Sequence, residues 1–515
     1  INYVQASFFV VSLQNLINII PLNMKPLLTQ WQMAVKWSIA LFASLCCLLF
    51  WGCKQATHFQ MQLEHMNELE SIIYVEGQAK ILLLPIQESA DESLLQIESG
   101  DGNKIMQTLD VHMAVDSIDY FVPLDLDNYR QGSGETIMIR MKGLYNNAVT
   151  WDAIELVDTF DTTNRETFRP IYHHTPLYGW MNDANGLVYK DGEYHLYFQY
   201  NPYGSVWGNM HWGHSVSKDL MHWEHKAPVI ARDSLGHIFS GSSVVDVENT
   251  AGYGAGAIIA FYTSASEKNG QIQCMAYSKD NGYTYTKYEK NPILTPFDGI
   301  KDFRDPKVFW YNPEKKWIMI VSADKEMRFY ASYNLKDWTY LSAWGEGYGV
   351  QPRQFECPDM VQLPVNGNKD YMKWVMIVNV NPGCYFGGSA TQYFVGNFDG
   401  TKFVCDSPKE TVKWLDWGKD HYATVCFSNT CDRVVAIPWM SNWQYANIVP
   451  TKQFRSANAL PRELGLYEQD GEFYVSITPV KEVRDIRKEV REISTFMVVA
   501  EYHVDTLWYE ISGAY

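Results

Sequence analysis

The stretch Ser217-Lys218-Asp219-Leu220-Met221-His222-Trp223 is a polar turn that ends on an aromatic residue, and similar turns recur along the chain. Its aspartate, Asp219, has counterparts in Asp280, Asp337 and Asp399, at intervals of roughly 60 residues. Short strands without helical periodicity lie between these turns. Four strands to a repeat predict the blades of a β-propeller, about five of them within residues 166–470. An ordinary β-sandwich is the competing fold, but a sandwich would not repeat.

The segments on either side of the repeats also predict β-structure. Residues 54–165 carry short strands such as Thr136-Ile137-Met138-Ile139-Arg140-Met141, without a cluster of catalytic residue types. We interpret them as an N-terminal β-module of unknown role, either a spacer or a sugar-binding accessory. Residues 471–515 are interpreted as a linker and the start of a C-terminal β-sandwich, because so short a segment holds only one of two sheets. The chain is therefore expected to be a truncated product.

The composition limits the class of partner. The 515 residues carry a formal net charge of −17, which argues against a nucleic-acid partner because a phosphate backbone is met by a basic face. Aromatic residues make up 15% of the chain, with 18 Trp and 33 Tyr. Flat rings suit the C–H faces of sugars, and they also suit β-rich cores. The composition fits a soluble enzyme that acts on a neutral substrate.

The first 53 residues resemble an upstream leader followed by a lipoprotein signal peptide. Translation is expected to start at Met24 or Met33. Basic residues then precede an apolar run over residues 37–51, which is short for a membrane span. The run ends in Gly52-Cys53, so Cys53 is expected to carry a lipid. The protein is then predicted to be an exported, membrane-anchored lipoprotein of a Gram-negative bacterium, periplasmic or at the cell surface; simple cleavage or an uncleaved anchor is the alternative.

No cofactor or metal is predicted. The cysteines beyond the leader form no CxxC pair, which argues against a zinc site. Cys426 and Cys431 could form a disulfide in an oxidising compartment, although buried free thiols are the preferred interpretation. Adjacent histidines such as His173 and His174 have no carboxylate partner nearby in the sequence, and we interpret them as structural.

Three acidic residues lie in short motifs with an unusual combination of neighbouring residues. Asp183 lies in Trp-Met-Asn-Asp-Ala-Asn-Gly, Asp305 in Phe-Arg-Asp-Pro and Glu356 in Phe-Glu-Cys-Pro. One such motif alone would be interpreted as a turn. Each of the three, however, precedes the turn of its own repeat by a similar interval, which in a propeller belongs to the first strand of a blade. Three carboxylates from three blades are therefore expected to converge at one end of the central channel.

Convergent carboxylates with aromatic walls suit glycoside hydrolysis. One carboxylate attacks the anomeric carbon, while another protonates the leaving oxygen and then activates water. The acid must hold its proton near neutral pH, which an apolar environment favours, and Glu356 stands between Phe355 and Cys357. Arg304 is expected to keep the neighbouring Asp305 ionised.

Nine blocks follow one another between residues 170 and 480: His174-Thr175-Pro176, Trp180-Met181-Asn182-Asp183-Ala184-Asn185-Gly186, Phe198-Gln199-Tyr200-Asn201-Pro202, Trp207-Gly208-Asn209-Met210-His211-Trp212-Gly213-His214, Phe239-Ser240-Gly241-Ser242, Phe303-Arg304-Asp305-Pro306, Glu356-Cys357-Pro358, Trp439-Met440-Ser441-Asn442-Trp443-Gln444-Tyr445 and Leu460-Pro461-Arg462-Glu463-Leu464. In kind and order they resemble glycoside hydrolase family 32. The resemblance implies an all-β protein, with a five-bladed propeller followed by a β-sandwich. It also implies a retaining β-fructosidase of the levanase, inulinase or invertase type.

The resemblance assigns roles residue by residue. Asp183 matches the family's nucleophile, Glu356 its acid/base and Asp305 its transition-state stabiliser. The residues predicted to bind the fructosyl unit are Trp180, Asn182, Gln199, Trp207, Phe239, Ser240, Arg304, Cys357 and Trp443, with Trp439 as the alternative to Trp443. The family's usual proline after the nucleophile is Ala184 here, which changes one turn residue and leaves the carboxylates in place.

Several functions remain open at this point. The preferred hypothesis is an exo-acting β-fructosidase on levan, inulin or sucrose, anchored to a membrane only through its lipid. An endo-levanase or a fructosyltransferase would use the same carboxylates. A binding lipoprotein with an inactive propeller is disfavoured because all three carboxylates are present. An inverting arabinan-cleaving propeller is disfavoured by the tryptophan-rich blocks.

Overall fold

The computed structural model describes residues 60–77, 79–130, 136–163 and 166–487. These residues form an all-β protein, as predicted, with one four-residue α-helix, α1 (Thr150–Ala153), among them. Within the same ranges no helix has the length and apolar character needed to cross a membrane. The predicted signal peptide with Cys53, and the apolar strands predicted near the C-terminus, lie outside the described residues.

The N-terminal module consists of two antiparallel sheets that share one core. Its strands are β1 (Gln60–Asn67), β2 (Glu70–Glu76), β3 (Ile81–Ile86), β4 (Ser93–Ser99), β5 (Ile105–Val111), β6 (Tyr120–Asp125), β7 (Ile137–Lys142) and β8 (Glu155–Val157). The sheet orders are β1-β2-β7-β4-β5 and β6-β3-β8. Alternation in β7 explains the packing: Ile139 is buried in the core with Leu84 of the other sheet, whereas the next residue, Arg140, pairs with Glu98 at 2.9 Å.

Residues 179–479 form one five-stranded, two four-stranded and one eight-stranded sheet. We divide their strands into five consecutive antiparallel groups of four, called units, of which the last two share the eight-stranded sheet. The first two units contain β9 (Gly179–Lys190), β10 (Glu193–Asn201), β11 (His211–Ser217), β12 (Glu224–Ile230), then β13 (His237–Asp246), β14 (Ala257–Ser266), β15 (Gly270–Ser278), β16 (Thr286–Lys287). The next two contain β17 (Phe303–Tyr311), β18 (Lys316–Ala323), β19 (Glu326–Ser332), β20 (Thr339–Trp344), then β21 (Phe355–Val365), β22 (Asn368–Val380), β23 (Ala390–Phe398), β24 (Phe403–Cys405). The last contains β25 (Tyr422–Cys426), β26 (Val434–Trp439), β28 (Arg462–Gln469) and β29 (Glu472–Pro479), with the short strand β27 (Phe454–Arg455) between β26 and β28. Short 3-10 turns lie at Asp127–Tyr129, Asn312–Glu314, Ala446–Ile448 and Lys481–Ile486.

The first strands of the five units form a closed ring. In the order β9, β13, β17, β21 and β25 each contacts the next, and β25 contacts β9. The strand β27 joins the end of this region to its beginning, because it pairs in parallel with β9, Phe454 opposite Gly179 and Arg455 opposite Trp180. The ring therefore holds the first strands of all five units around one axis.

The recurring aspartates occupy the same place in four of the units, after the third strand. Asp219 follows β11, and Asp280, Asp337 and Asp399 follow β15, β19 and β23. The Asp219 carboxylate accepts backbone N–H groups two and three residues ahead at 2.9 and 2.8 Å, and that of Asp399 does the same at 2.9 Å. In the third unit Asn334 takes this role and accepts the backbone N–H groups of Lys336 and Asp337 at 3.0 and 2.9 Å. The repeat recognised in the sequence is thus a turn between outer strands that an Asp or Asn side chain stabilises.

Two details differ from the sequence interpretation. The predicted boundary at residue 470 falls in the turn between β28 and β29, which pair from Arg462 with Pro479 to Gln469 with Glu472. The last unit therefore extends to residue 479 and takes in the first part of the predicted linker. Cys426 and Cys431 are both free, in agreement with the preferred interpretation, but only Cys426 is buried and Cys431 is exposed.

Candidate active site

Each of the five first strands carries a β-bulge close to its start. The register slips at residues 182–183 of β9, 239–240 of β13, 305–306 of β17, 357–358 of β21 and 423–424 of β25. At each bulge two consecutive residues oppose one residue of the second strand, so neighbouring side chains can turn towards the same side. We call this end of the ring the bulged end; the predicted carboxylates lie there.

Asp183 is held by three neutral donors from three first strands. Ser240 Oγ donates to its Oδ2 at 2.6 Å and the Asn182 side-chain amide to its Oδ1 at 3.0 Å. The Cys357 thiol also donates to Oδ2, at 3.4 Å. Burial raises the pKa of the Cys357 thiol, so the sulfur keeps its proton and acts as a donor. The Asp183 carboxylate is therefore oriented by dipoles rather than by a directly bound cation.

Glu356 has a different set of partners. Arg304 Nη2 donates to its Oε1 at 2.7 Å, and the Tyr422 hydroxyl donates to its Oε2. Burial raises the pKa of Tyr422 well above its usual value, with Glu356 adding to the effect, so the phenol remains a donor. Arg304 also binds Asp302 at 2.6 Å, which fixes the guanidinium on both sides.

Cys357 and Arg304 connect the three carboxylates. The backbone N–H of Cys357 donates to Asp305 Oδ2 at 2.8 Å, while the thiol of the same residue reaches Asp183. Arg304 Nε lies 3.9 Å from Asp305 Oδ2 and pairs with Glu356. The structure thus brings Asp183, Asp305 and Glu356 into one cluster, as the sequence predicts.

The predicted polar residues lie next to this cluster. Gln199 is buried opposite the bulge at 182–183, and its amide donates to Ile238 O at 2.9 Å. In the amide orientation that satisfies its neighbours, Asn185 accepts from Gln199 and donates to Ser240, both at 3.1 Å. Gln199 and Ser240 are therefore linked in one network that ends on Asp183.

The predicted aromatic walls are not all exposed. Trp207 is 42% exposed and lies 5.8 Å from the ring of Phe239, while Trp443 is half-buried. Trp180 is fully buried beneath Trp443, stacked at 5.8 Å, so it cannot form a wall as predicted. Its indole instead donates to Asn182 Oδ1 at 2.8 Å and orients the amide that holds Asp183. Trp439 is also fully buried, so Trp443 stays the predicted wall residue of that block.

A family model for the N-terminal domain of glycosyl hydrolases family 32 matches residues 173–476. The chain belongs to glycosyl hydrolase family 32. The matched residues include all five first strands and every member of the cluster. A second model, a domain of unknown function (DUF4980), matches residues 67–172, the N-terminal module.

Known proteins are similar over about three fifths of the chain. A levanase of Bacillus subtilis is 52% identical over 328 residues, 62% of this chain and 48% of that protein. An invertase of Debaryomyces hansenii is 41% identical over 357 residues, 65% of each chain. The exo-inulinase structure from Aspergillus awamori has a TM-score of 0.58 at 39% identity, covering 62% of this chain and 68% of that one. The chain thus spans about half to two thirds of the curated relatives it matches.

Some residues near the carboxylate cluster lie outside the family 32 motifs and were not predicted from the sequence. Tyr422 starts β25 in a segment without any motif and was not predicted. Lys307 and Asp359 pair at 2.8 Å within the ring and line one cavity with Asp305. They stand directly after the bulges at 305–306 and 357–358, which interrupt strand alternation, so the sequence pattern did not indicate them.

The charge state of Asp305 differs from the sequence expectation. Burial raises the pKa of Asp305 to about 7. Arg304 and the Cys357 N–H lower this pKa, and Asp183 and Glu356 raise it, but burial is the largest cause. The sequence analysis expected Arg304 to keep Asp305 ionised. Arg304 does not do so fully at neutral pH, because its short contacts go to Asp302 and Glu356.

Asp305→Asn is expected to stabilise the fold increasingly as the pH rises. The folded pKa of Asp305, about 7, lies above its usual 3.8, so its contribution to stability is complete at low pH and is lost as the pH rises through 7. The neutral amide of the variant has no such loss. The free energy of unfolding of the variant, relative to wild type, should therefore grow by up to about 4 kcal/mol between about pH 4 and pH 8. Thermal unfolding across this range measures it, with exposed Asp370→Asn as the control. A difference that does not change with pH would contradict the assignment.

Proposed function

We propose that the protein hydrolyses β-fructofuranosyl bonds and releases fructose from β-fructans, such as levan and inulin, or from sucrose. The observation that carries the proposal is the cluster of Asp183, Asp305 and Glu356 at the bulged end. Two of these carboxylates have contrasting partners: neutral donors for Asp183, and a cation with a phenol for Glu356. Glycosidases need two carboxyl groups in different roles, and here the two groups have different partners. The partners of Glu356 are polar, unlike the apolar environment expected from the sequence.

In the proposed mechanism, Asp183 attacks the anomeric carbon and forms a covalent fructosyl intermediate. Glu356 protonates the leaving oxygen and then takes a proton from the water that releases fructose. Asp305 binds sugar hydroxyls as the ring flattens towards the transition state. Ser240, Asn182 and Cys357 fix the Asp183 carboxylate before attack. Less conformational entropy of this carboxylate is then lost on reaching the transition state.

The proposed substrates rest on relatives and on the rim of the site. The relatives include proteins named levanase, invertase and exo-inulinase. Three exposed aromatic residues lie on loops at the bulged end: Tyr385, Phe386 and Trp417, exposed by 78%, 40% and 66%. The Asn442 side chain, next to Trp443, donates to backbone carbonyls of both loops. An aromatic rim beside the carboxylate cluster suits a chain of several sugars, and so supports fructans as substrates.

The test is separate incubation of the protein with levan, inulin and sucrose, followed by separation of the products by size. Fructose is expected as the only small early product from levan and inulin, and sucrose should give fructose and glucose in equal amounts. Short oligosaccharides from levan would favour the endo-levanase alternative, and products longer than the substrate would favour a fructosyltransferase. No product from any of the three would refute the proposal.

We also propose the finer architecture of a five-bladed β-propeller, preceded by the N-terminal module and followed by a β-sandwich. The closed ring of five first strands and the similarity to solved family 32 structures support the propeller. The sandwich rests on the family resemblance and on the apolar segments after residue 487.

The first-formed fructose is expected to keep the β-configuration, because two displacements at the anomeric carbon cancel. In retaining enzymes the two carboxyl groups lie about 5–5.5 Å apart, and the shared contacts of the cluster suit such closeness. Early proton NMR spectra of the released sugar measure the configuration. First-formed α-fructose would indicate a single displacement and remove the nucleophile role of Asp183.

We further propose that the protein is an exported lipoprotein attached to a Gram-negative membrane through Cys53. The apolar run before Gly52-Cys53 supports this. In a bacterial host, labelled palmitate should be incorporated into the wild-type protein and not into Cys53→Ala. Cys431→Ala, which removes an exposed thiol, should keep the label. Label that persists in Cys53→Ala would exclude this attachment site.

A further inference from the structure

The N-terminal module encloses the loop that carries Trp207. This loop, residues 202–210, connects β10 to β11. Its Tyr203 is buried in the hydrophobic core of the module rather than in a core of the ring. Two residues later, the Ser205 backbone N–H donates to the Tyr120 hydroxyl of the module at 2.7 Å. The first half of the loop is thus fixed by module residues.

The second half of the loop is fixed by Asp110 of the module. The Asp110 backbone N–H donates to Asn209 Oδ1 at 3.0 Å, and the Asn209 amide donates back to the Asp110 carbonyl. Arg232 binds both Asp110 Oδ2 and Asn209 Oδ1, at 2.8 and 2.7 Å. Asn209 has a φ of +40°, which asparagine tolerates, so these hydrogen bonds rather than backbone strain hold this half of the loop.

A buried arginine adds a third link. Arg455, on the strand that closes the ring, donates to the Ser205 carbonyl at 3.0 Å and to Glu88 of the module at 2.8 Å. Between these fixed points stands Trp207, which contacts Phe239. Phe239 precedes Ser240, which binds Asp183, so the position of Trp207 relative to the carboxylates depends on the module.

We propose that the N-terminal module is part of the substrate site: Tyr120 and Asp110 are positioning residues that place Trp207 against the fructosyl unit. This inference rests on the proposed function. It gives the module a role different from that of a spacer or an independent sugar-binding accessory. A merely structural contact would stabilise the fold without a specific effect on Trp207.

The experiment compares Tyr120→Phe and Asp110→Asn with a control in the same module. Arg140→Gln is the control, because Arg140 pairs with Glu70 and Glu98 within the module's own sheet. Tyr120→Phe leaves the Ser205 N–H unpaired, and Asp110→Asn removes the charge that Arg232 binds. Hydrogen exchange of residues 202–210 without substrate should become faster in both variants and remain unchanged in the control. KM on the best substrate should rise roughly tenfold, with kcat within about twofold.

A double-mutant cycle separates positioning from general stability. Trp207→Ala should itself raise KM, and adding Tyr120→Phe should then have almost no further effect, because both act through the same contact. Unchanged exchange of the loop, or faster exchange with unchanged KM, would overturn the proposal. So would a KM effect of Tyr120→Phe that persists in full without Trp207. A wild-type protein inactive on all three substrates would refute the proposed function instead, while the exchange measurement still shows whether the module holds the loop.

Discussion

Asp183→Asn is expected to lower kcat by about four orders of magnitude or more on every fructosyl substrate. An amide cannot form the ester bond of the intermediate, so neither a natural fructan nor a substrate with an activated leaving group should react. The variant should still fold, because the amide oxygen can replace Oδ2 and accept from Ser240 and Cys357, which leaves only the Asn182 amide facing the new NH2 group.

The measurement is turnover of sucrose, a fructan and an aryl fructoside, with circular dichroism to confirm folding. Asp191→Asn is the matched control: it makes the same change in the exposed turn between β9 and β10, at a φ of +50° that asparagine tolerates. Turnover near that of wild type in Asp183→Asn would show that another group is the nucleophile.

Glu356→Gln is expected to lower turnover of natural fructans by about 10²- to 10⁴-fold and to affect activated substrates much less in their first step. Glutamine cannot give a proton to the leaving oxygen, and this matters most when that oxygen is a sugar alkoxide. Arg304 remains anchored by Asp302 and close to Asp305, so the rest of the cluster should keep its geometry.

The decisive quantity for Glu356→Gln is its loss of turnover on fructan divided by its loss of turnover on the aryl fructoside. Pre-steady-state release of the aryl group reports the first step alone, with exposed Glu468→Gln as a control for the substitution itself. Equal losses on fructan and aryl fructoside would mean that Glu356 serves binding or structure rather than proton transfer.

The sequence predicted the fold class because the information is local. The turn aspartates Asp219 and Asp399 bind backbone N–H groups two and three residues away, so each copy of the turn can be recognised within a few residues. The common interval between these turns and the carboxylates was enough to assign Asp183, Asp305 and Glu356 to first strands.

The sequence could not predict what depends on pairing between strands. Strict alternation would place Arg304 and Asp305 on opposite faces, and a bulge in the pairing with β18 brings both to the cluster. Trp180 and Trp443 are equally apolar in the sequence, and only packing shows which ring is covered. The charge state of Asp305 likewise depends on burial by residues from several units. The residues next to Asp305 in the sequence do not indicate this burial.

The pairing of β27 with β9 has a consequence for how the chain folds. The two strands are separated by nearly the whole ring in sequence, so their contact carries a high loop-closure entropy and forms after the local hairpins. Until then, a chain emerging from the ribosome presents hairpins with open edges, which favour association with other chains. Once closed, the ring has no free first strand from which unfolding can begin, so local opening at one unit is resisted by both neighbours. Slow folding and a long native lifetime are thus two results of the same closure.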